Sequence, residues 1–89
     1  MEVYVYVDYR ENKETGEIEF ECPEVYGSFK DAQARYKKAT SEISASITPV
    51  EDVNDFVSDT DILGGTGDYF LLDSDLRHIC IYYKKVEVK

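Results

Sequence analysis

Ser28-Phe29-Lys30-Asp31-Ala32-Gln33-Ala34-Arg35-Tyr36-Lys37-Lys38-Ala39-Thr40-Ser41-Glu42-Ile43-Ser44-Ala45 separates two strand-rich halves of the chain, and its reading decides the fold. Ser28 is a favourable N-cap, with Asp31 three residues later as a weaker relative of the capping-box acid. Phe29, Ala32, Tyr36, Ala39 and Ile43 recur at spacings of three and four, which puts them on one helical stripe. The opposite face carries Lys30, Arg35, Lys37, Lys38 and Glu42. The pattern predicts one long helix from about residue 29 to about residue 45.

Upstream, Val3, Val5 and Val7 alternate with Tyr4, Tyr6 and Asp8, the period-two pattern of a half-buried strand whose Val face is expected to meet the core. The polar run Arg10 to Gly16 then leads to a second alternation, Ile18, Phe20 and Cys22 against Glu17, Glu19 and Glu21. Together these read as a β-hairpin with an all-Glu outer face, closed by Pro23, which lacks a donor.

Downstream, Thr48-Pro49-Val50-Glu51 has the chemistry of a second helix start, and Val50, Val53 and Val57 fit a helical stripe. Residues 49–57 therefore read as a short helix or as an irregular loop. Residues 58–68 are punctuated by Asp59, Asp61, Gly64, Gly65 and Gly67 and read as a loop. A second hairpin follows around Asp73-Ser74-Asp75, with Ile79, Ile81 and Tyr83 alternating against His78, Cys80 and Tyr82. Near Lys84-Lys85 the apolar parity passes to Val86 and Val88, which calls for a bulge or a change in the covered face. The expected fold is a single α+β domain over residues 1–89. It has a four-stranded antiparallel sheet of two hairpins with one long helix on one face, in the order β-β-α-β-β.

The 89 residues carry 19 acids and 10 bases, a formal net charge of −9. A chain that negative repels phosphate backbones, so direct nucleic-acid binding is not expected. The charge is also segregated: residues 1–28 hold eight acids and two bases, and residues 51–75 hold eight acids and no base. No stretch approaches the roughly 18 apolar residues of a membrane span. Met1-Glu2-Val3-Tyr4 lacks the basic and apolar run of an export signal. A cytoplasmic protein without membrane contact is the expectation, with Cys22 and Cys80 as free thiols.

No catalytic or metal-binding constellation is legible, and neither enzyme activity nor a cofactor is expected. Asp59-Thr60-Asp61-Ile62-Leu63-Gly64 departs from a calcium loop at Leu63 and lacks the bidentate Glu. Gly64-Gly65-Thr66-Gly67 lacks the Lys-Ser/Thr of a phosphate loop and leads into a strand. His78 has no nucleophile beside it in a recognisable motif. Tyr4, Tyr6 and Tyr82 are candidates for an aromatic protein anchor on a shared outer sheet face.

Val3-Tyr4-Val5-Tyr6-Val7, the turn ending Thr15-Gly16-Glu17, the helix entry Tyr26-Gly27-Ser28-Phe29-Lys30-Asp31-Ala32 and the closing Val86-Glu87-Val88 resemble small acidic proteins of phages and mobile elements. Those include anti-defence proteins of the anti-CRISPR kind, and the resemblance implies a location in the host cytoplasm. The functional expectation is a non-enzymatic, protein-binding inhibitor whose acidic surface occupies the basic, nucleic-acid-binding groove of a partner. Glu17, Glu19, Glu21, Asp52, Asp55, Asp59 and Asp61 are its candidate residues. Two other classes stay open: a sponge for a small nucleotide between the Gly64–Gly67 loop and Lys37, Lys38 or Arg77, and a plain interaction module that forms homo-oligomers.

Overall fold

The first and last strands of this chain pair with each other. In a computed structural model that describes residues 2–20, 23–47, 51–59 and 67–88, β1 (Glu2–Asn12) runs antiparallel to β6 (Arg77–Glu87). Their register is unbroken from Glu2↔Glu87 to Asn12↔Arg77. The remaining elements are β2 (Ile18–Phe20), β3 (Glu24–Tyr26), α1 (Phe29–Ser46), β4 (Val53–Asp59) and β5 (Gly67–Ser74). The sheet order is β2-β1-β6-β5-β4, with β3 also paired to β1. All five pairings are antiparallel. The architecture is α+β with one helix, as expected, but the order is β-β-β-α-β-β-β.

Two strands were not anticipated. β3 resumes pairing with β1 just after Pro23, through Tyr4↔Tyr26 and Tyr6↔Glu24. The helix or loop expected over residues 49–57 is corrected at its described end, where Val53–Asp59 is an edge strand on β5. A register shift between Val53 and Asp55 inserts an extra residue. Val53 then stands opposite Ser74 on the helix side and Val57 opposite Leu71 on the other, so these two valines of the expected helical stripe fall on different faces. The loop expected over residues 58–68 is corrected at its described ends, which belong to β4 and β5; its remainder, 60–66, the 49–50 part of the helix expectation and Cys22 lie outside the described residues.

Helix α1 forms where the sequence predicts it. The Ser28 side chain accepts from the Asp31 N–H at 3.2 Å, and Ala32, Tyr36, Ala39 and Ile43 turn inward. The alanines let the helix sit close to the sheet and leave room for rings. Phe70, Leu72, Ile79, Ile81, Tyr83 and Tyr6 fill that space from the strands. Each large side chain so buried contributes about 1.5–3 kcal/mol.

The parity of β1 is the reverse of the expected one. Tyr6 is 2% exposed beneath the helix and Tyr4 packs against the core, whereas Val3, Val5 and Val7 face away. A core of tyrosines requires partners for the hydroxyls, and the strands supply them. Tyr6 Oη donates to Asp8 Oδ2 at 3.0 Å, and Tyr83 Oη donates to the buried Asp68 at 2.5 Å. Ile18 and Phe20, also expected inside, are 59% and 57% exposed, because their register opposite Glu11 and Tyr9 puts them on the sheet face away from the helix. The parity change at Val86 needs no bulge: Val86 stands opposite Val3 in continuous register, on the face away from the helix.

Gly67 begins β5 against β6, and a Cβ built there would lie 1.8 Å from the carbonyl oxygen of Tyr83. Gly67→Ala must displace backbone, and is expected to lower stability by about 1–3 kcal/mol in urea denaturation. An unchanged midpoint would disprove that close approach. Burial, followed by Asp8, raises the phenol pKa of Tyr6; burial, followed by the Asp68 hydrogen bond, raises that of Tyr83. Both folded values exceed the unfolded one near 10, so their stabilisation is complete below about pH 10 and is lost as the unfolded chain sheds its protons above it. Phenolate absorbance and circular dichroism followed together should show these two tyrosines ionising only as the fold is lost.

Candidate functional site

The end of the sheet that carries the β1–β2 turn is built from three chain segments tied by polar bonds. Asn12 shapes the turn: its Oδ1 accepts from the N–H groups of Glu14 and Thr15, at 2.9 and 3.3 Å. Its carbonyl accepts from Gly16 at 2.8 Å, and Gly16 adopts φ +77°. Only a residue without Cβ takes that conformation freely. Lys13 then crosses to the β5–β6 turn, where its N–H bonds Leu76 O at 2.9 Å and its Nζ reaches Asp73 Oδ1 and Ser74 O, both at 2.7 Å. Lys13, and after it His78, holds the Asp73 carboxyl below its ordinary pKa.

Ser74 is fully buried at the centre of this end. Its hydroxyl donates to Glu51 Oε2 at 2.5 Å and accepts from the N–H groups of Leu76 and Arg77, both at 3.2 Å. Arg77 grips Glu51 with two bonds, Nε to Oε2 at 2.9 Å and Nη2 to Oε1 at 3.1 Å, and its Nη1 donates to Ser46 Oγ at the helix C-terminus. Asp52 and Asp75 complete the tie through Asp52 N to Asp75 Oδ1 at 2.9 Å and Asp75 N to Asp52 O at 3.0 Å. The Glu51 side chain is 3% exposed, so this carboxylate is structural.

Beside this knot, on the helix side of the sheet and past the helix end, lies a cleft of ≈ 400 Å³. Its charged lining consists of Glu11, Glu14, Glu17, Glu19 and Glu51 with Arg10 and Arg77. Both arginines are already engaged, Arg77 by Glu51 and Arg10 by Asp8 through bonds of 2.9 and 3.0 Å. Glu11, Glu14, Glu17 and Glu19 make no ion pair among the described residues. The cleft therefore carries surplus negative charge over a rigid floor. A smaller adjoining pocket of ≈ 160 Å³ joins Asp8, Arg10, Glu19 and Arg35.

The structure divides the acids proposed from sequence. Glu17 and Glu19 line the cleft, and Asp52 stands at the same end of the sheet. Asp55 is opposite Asp73 on the other face, and Asp59 is at the far end of β4, opposite Tyr69. The described acids named from sequence are therefore split, with Glu19 on the β2 edge and Asp55 and Asp59 on the β4 edge of the sheet. Glu21 and Asp61 lie outside the described residues. The shared aromatic face is corrected too: Tyr4 and Tyr6 lie under the helix, while Tyr82 lies on the opposite face, with its ring 6.2 Å from Tyr69. Glu11 and Glu14 were missed individually, although the Asn12–Gly16 turn signal places them beside Glu17.

Among the described residues, no group of three or more His, Cys, Asp or Glu is placed to hold a metal, and no helix is long and apolar enough to cross a membrane. Cys80 is a free thiol. The chain matches no family model, and neither a curated protein nor a solved structure matches it significantly.

Scaffold and cleft carboxylates should separate in a stability measurement. Glu51→Gln breaks a two-bond pair with Arg77 and is expected to cost about 2 kcal/mol or more. Glu17→Gln and Glu19→Gln should stay within about 0.5 kcal/mol. Equal effects in urea denaturation would refute the division.

Proposed function

We propose that the protein is a non-enzymatic, protein-binding inhibitor that seats its acidic turn end in the basic, nucleic-acid-binding groove of a partner, as an anti-CRISPR-like anti-defence protein would. The observation that carries this reading is the cleft in which Glu14, Glu17 and Glu19 stand without ion pairs among the described residues, above a floor fixed by Glu51, Ser74 and Arg77. A lysine or arginine of the partner entering it gains two things: a charge-assisted bond to a carboxylate and an association rate raised by the net charge of −9. Because the floor is already ordered, little further entropy is lost on docking.

The small-nucleotide alternative is less well supported. Arg77, one of the cations proposed to hold a phosphate, has all three of its nitrogens engaged by Glu51 and Ser46 and its charge paired with Glu51. The cleft beside it would repel an anion.

The test is capture of a partner by the tagged protein from extract of its native host, eluted by a salt gradient and separately by duplex oligonucleotide. The partner is expected to bind at least roughly tenfold more weakly at high salt, to be displaced by the duplex, and to be lost by the triple variant Glu14→Lys, Glu17→Lys, Glu19→Lys. A partner that stays bound through both elutions, or that binds the reversed variant equally, overturns the reading.

A further inference from the structure

We propose that the sheet face without the helix is a homodimer interface, on which two copies of this chain pack about a two-fold axis perpendicular to the strands. The register arranges this face in rows that cross the strands. Tyr9, Cys80 and Leu71 form one row and Val7, Tyr82 and Tyr69 the next. Val57 extends the first row on β4, and Phe20 extends it on β2, where its ring lies 6.2 Å from Tyr9.

These side chains are apolar yet only half-buried or exposed, because nothing among the described residues lies over them. Exposed apolar patches on monomers rarely exceed a few hundred Å². The molecule measures 45 × 23 × 18 Å. The whole of this face, apolar rows and charged borders together, thus spans on the order of 1,000 Å², against the roughly 800 Å² per partner that a stable complex buries. Two sheets stacked face to face at the usual spacing of about 10 Å would cover both apolar centres at once.

Charge selects the occupant and its orientation. Beyond the apolar rows, one border holds Glu11, His78, Asp55 and Asp73, the last paired with Lys13, the other holds Lys84, and Asp59 ends the Tyr69 row at the β4 edge. A two-fold axis along the strands would stack the acidic border on itself. An axis across the strands inverts the rows, so that Lys84 of each copy faces the Glu11–Asp73 border of the other, Leu71 meets Tyr69, and Cys80 is covered by Tyr82. The face is complementary to itself in one orientation only. An apolar centre with a charged border is the ordinary anatomy of an interface.

Sedimentation and light scattering of the free protein test this without any partner, and so separately from the cleft. The expected mass is that of a dimer. Leu71→Glu, which lies outside the core, should raise the dissociation constant roughly 100-fold or more with the circular dichroism unchanged. Lys84→Glu should weaken the dimer roughly tenfold, and adding Glu11→Lys should restore it. In a Cys22→Ser background, Cys80 should react more slowly with a thiol reagent as protein concentration rises. A wild-type protein that is monomeric at every accessible concentration overturns the proposal. So does a dimer indifferent to Leu71→Glu, or a monomer whose Leu71→Glu variant loses its captured partner, since the face would then serve another protein.

Discussion

Tyr6 and Tyr83 stand opposite each other at the centre of the β1–β6 pair, and the rest of the molecule is arranged around the need to bury both rings while bonding both hydroxyls. The helix meets that need with Ala32 and Ala39, whose small side chains allow close approach, and with Tyr36, whose ring packs edge-on against Tyr83 at 5.4 Å. The strands meet it with Asp8 and Asp68, each placed to accept a phenolic proton. Because β1 and β6 are the ends of the chain, this pair also joins the two halves. The sheet cannot be completed until residues about 80 apart in sequence meet, a topology of high contact order.

The same pair explains what was and was not legible. The helix was readable because its cap, stripe and length agree, and α1 differs from the expected span by one residue at its C-terminus. The parity of β1 was not, because both of its faces are apolar, Val on one and Tyr on the other, and alternation says only that two faces exist. What decides between them is the shape of the helix surface opposite, a tertiary property. β4 was hidden because valines spaced three and four apart imitate a helical stripe, whereas the strand sends Val53 and Val57 to opposite faces. β2 was identified as a strand but its apolar side was placed inside, since a local pattern does not reveal which face of the sheet the helix covers. For the site, the sequence disclosed that acids are abundant and segregated along the chain. It could not disclose that Glu51 is consumed by Arg77 and Ser74 while Glu17 and Glu19 are not, because that difference rests on contacts spanning 23 to 26 residues.

The polar knot at the turn end makes an acidic cleft possible in so small a protein. Glu14, Glu17 and Glu19, without ion pairs among the described residues, repel one another on a short hairpin, and a three-residue β2 gives that hairpin little ladder to hold it. The bonds from Lys13 to Asp73, Ser74 and Leu76 anchor the turn to the core strands instead. Arg77 and Glu51 tie the same region to the end of α1. Self-repulsion at the cleft is thus offset by attraction beneath it. The carboxylates that hold the fold and those that face solvent are different residues.

One helix of 18 residues cannot cover both sides of a sheet, and the sequence has answered the two sides differently. The covered side uses aromatic rings, isoleucines and satisfied hydroxyls, the composition of a core. The open side keeps valines, Leu71, Phe20 and three tyrosines, with its charges at the two borders and the β4 edge, which is costly for a monomer and ordinary for a surface that meets another. The acidic cleft opens on the helix side, so occupying one surface leaves the other accessible. Stacking two copies with rows inverted would set their acidic ends at opposite extremes of the assembly, facing away from each other. Like charges would then be held far apart while the apolar centres are joined, an arrangement that satisfies both of the constraints the chain carries.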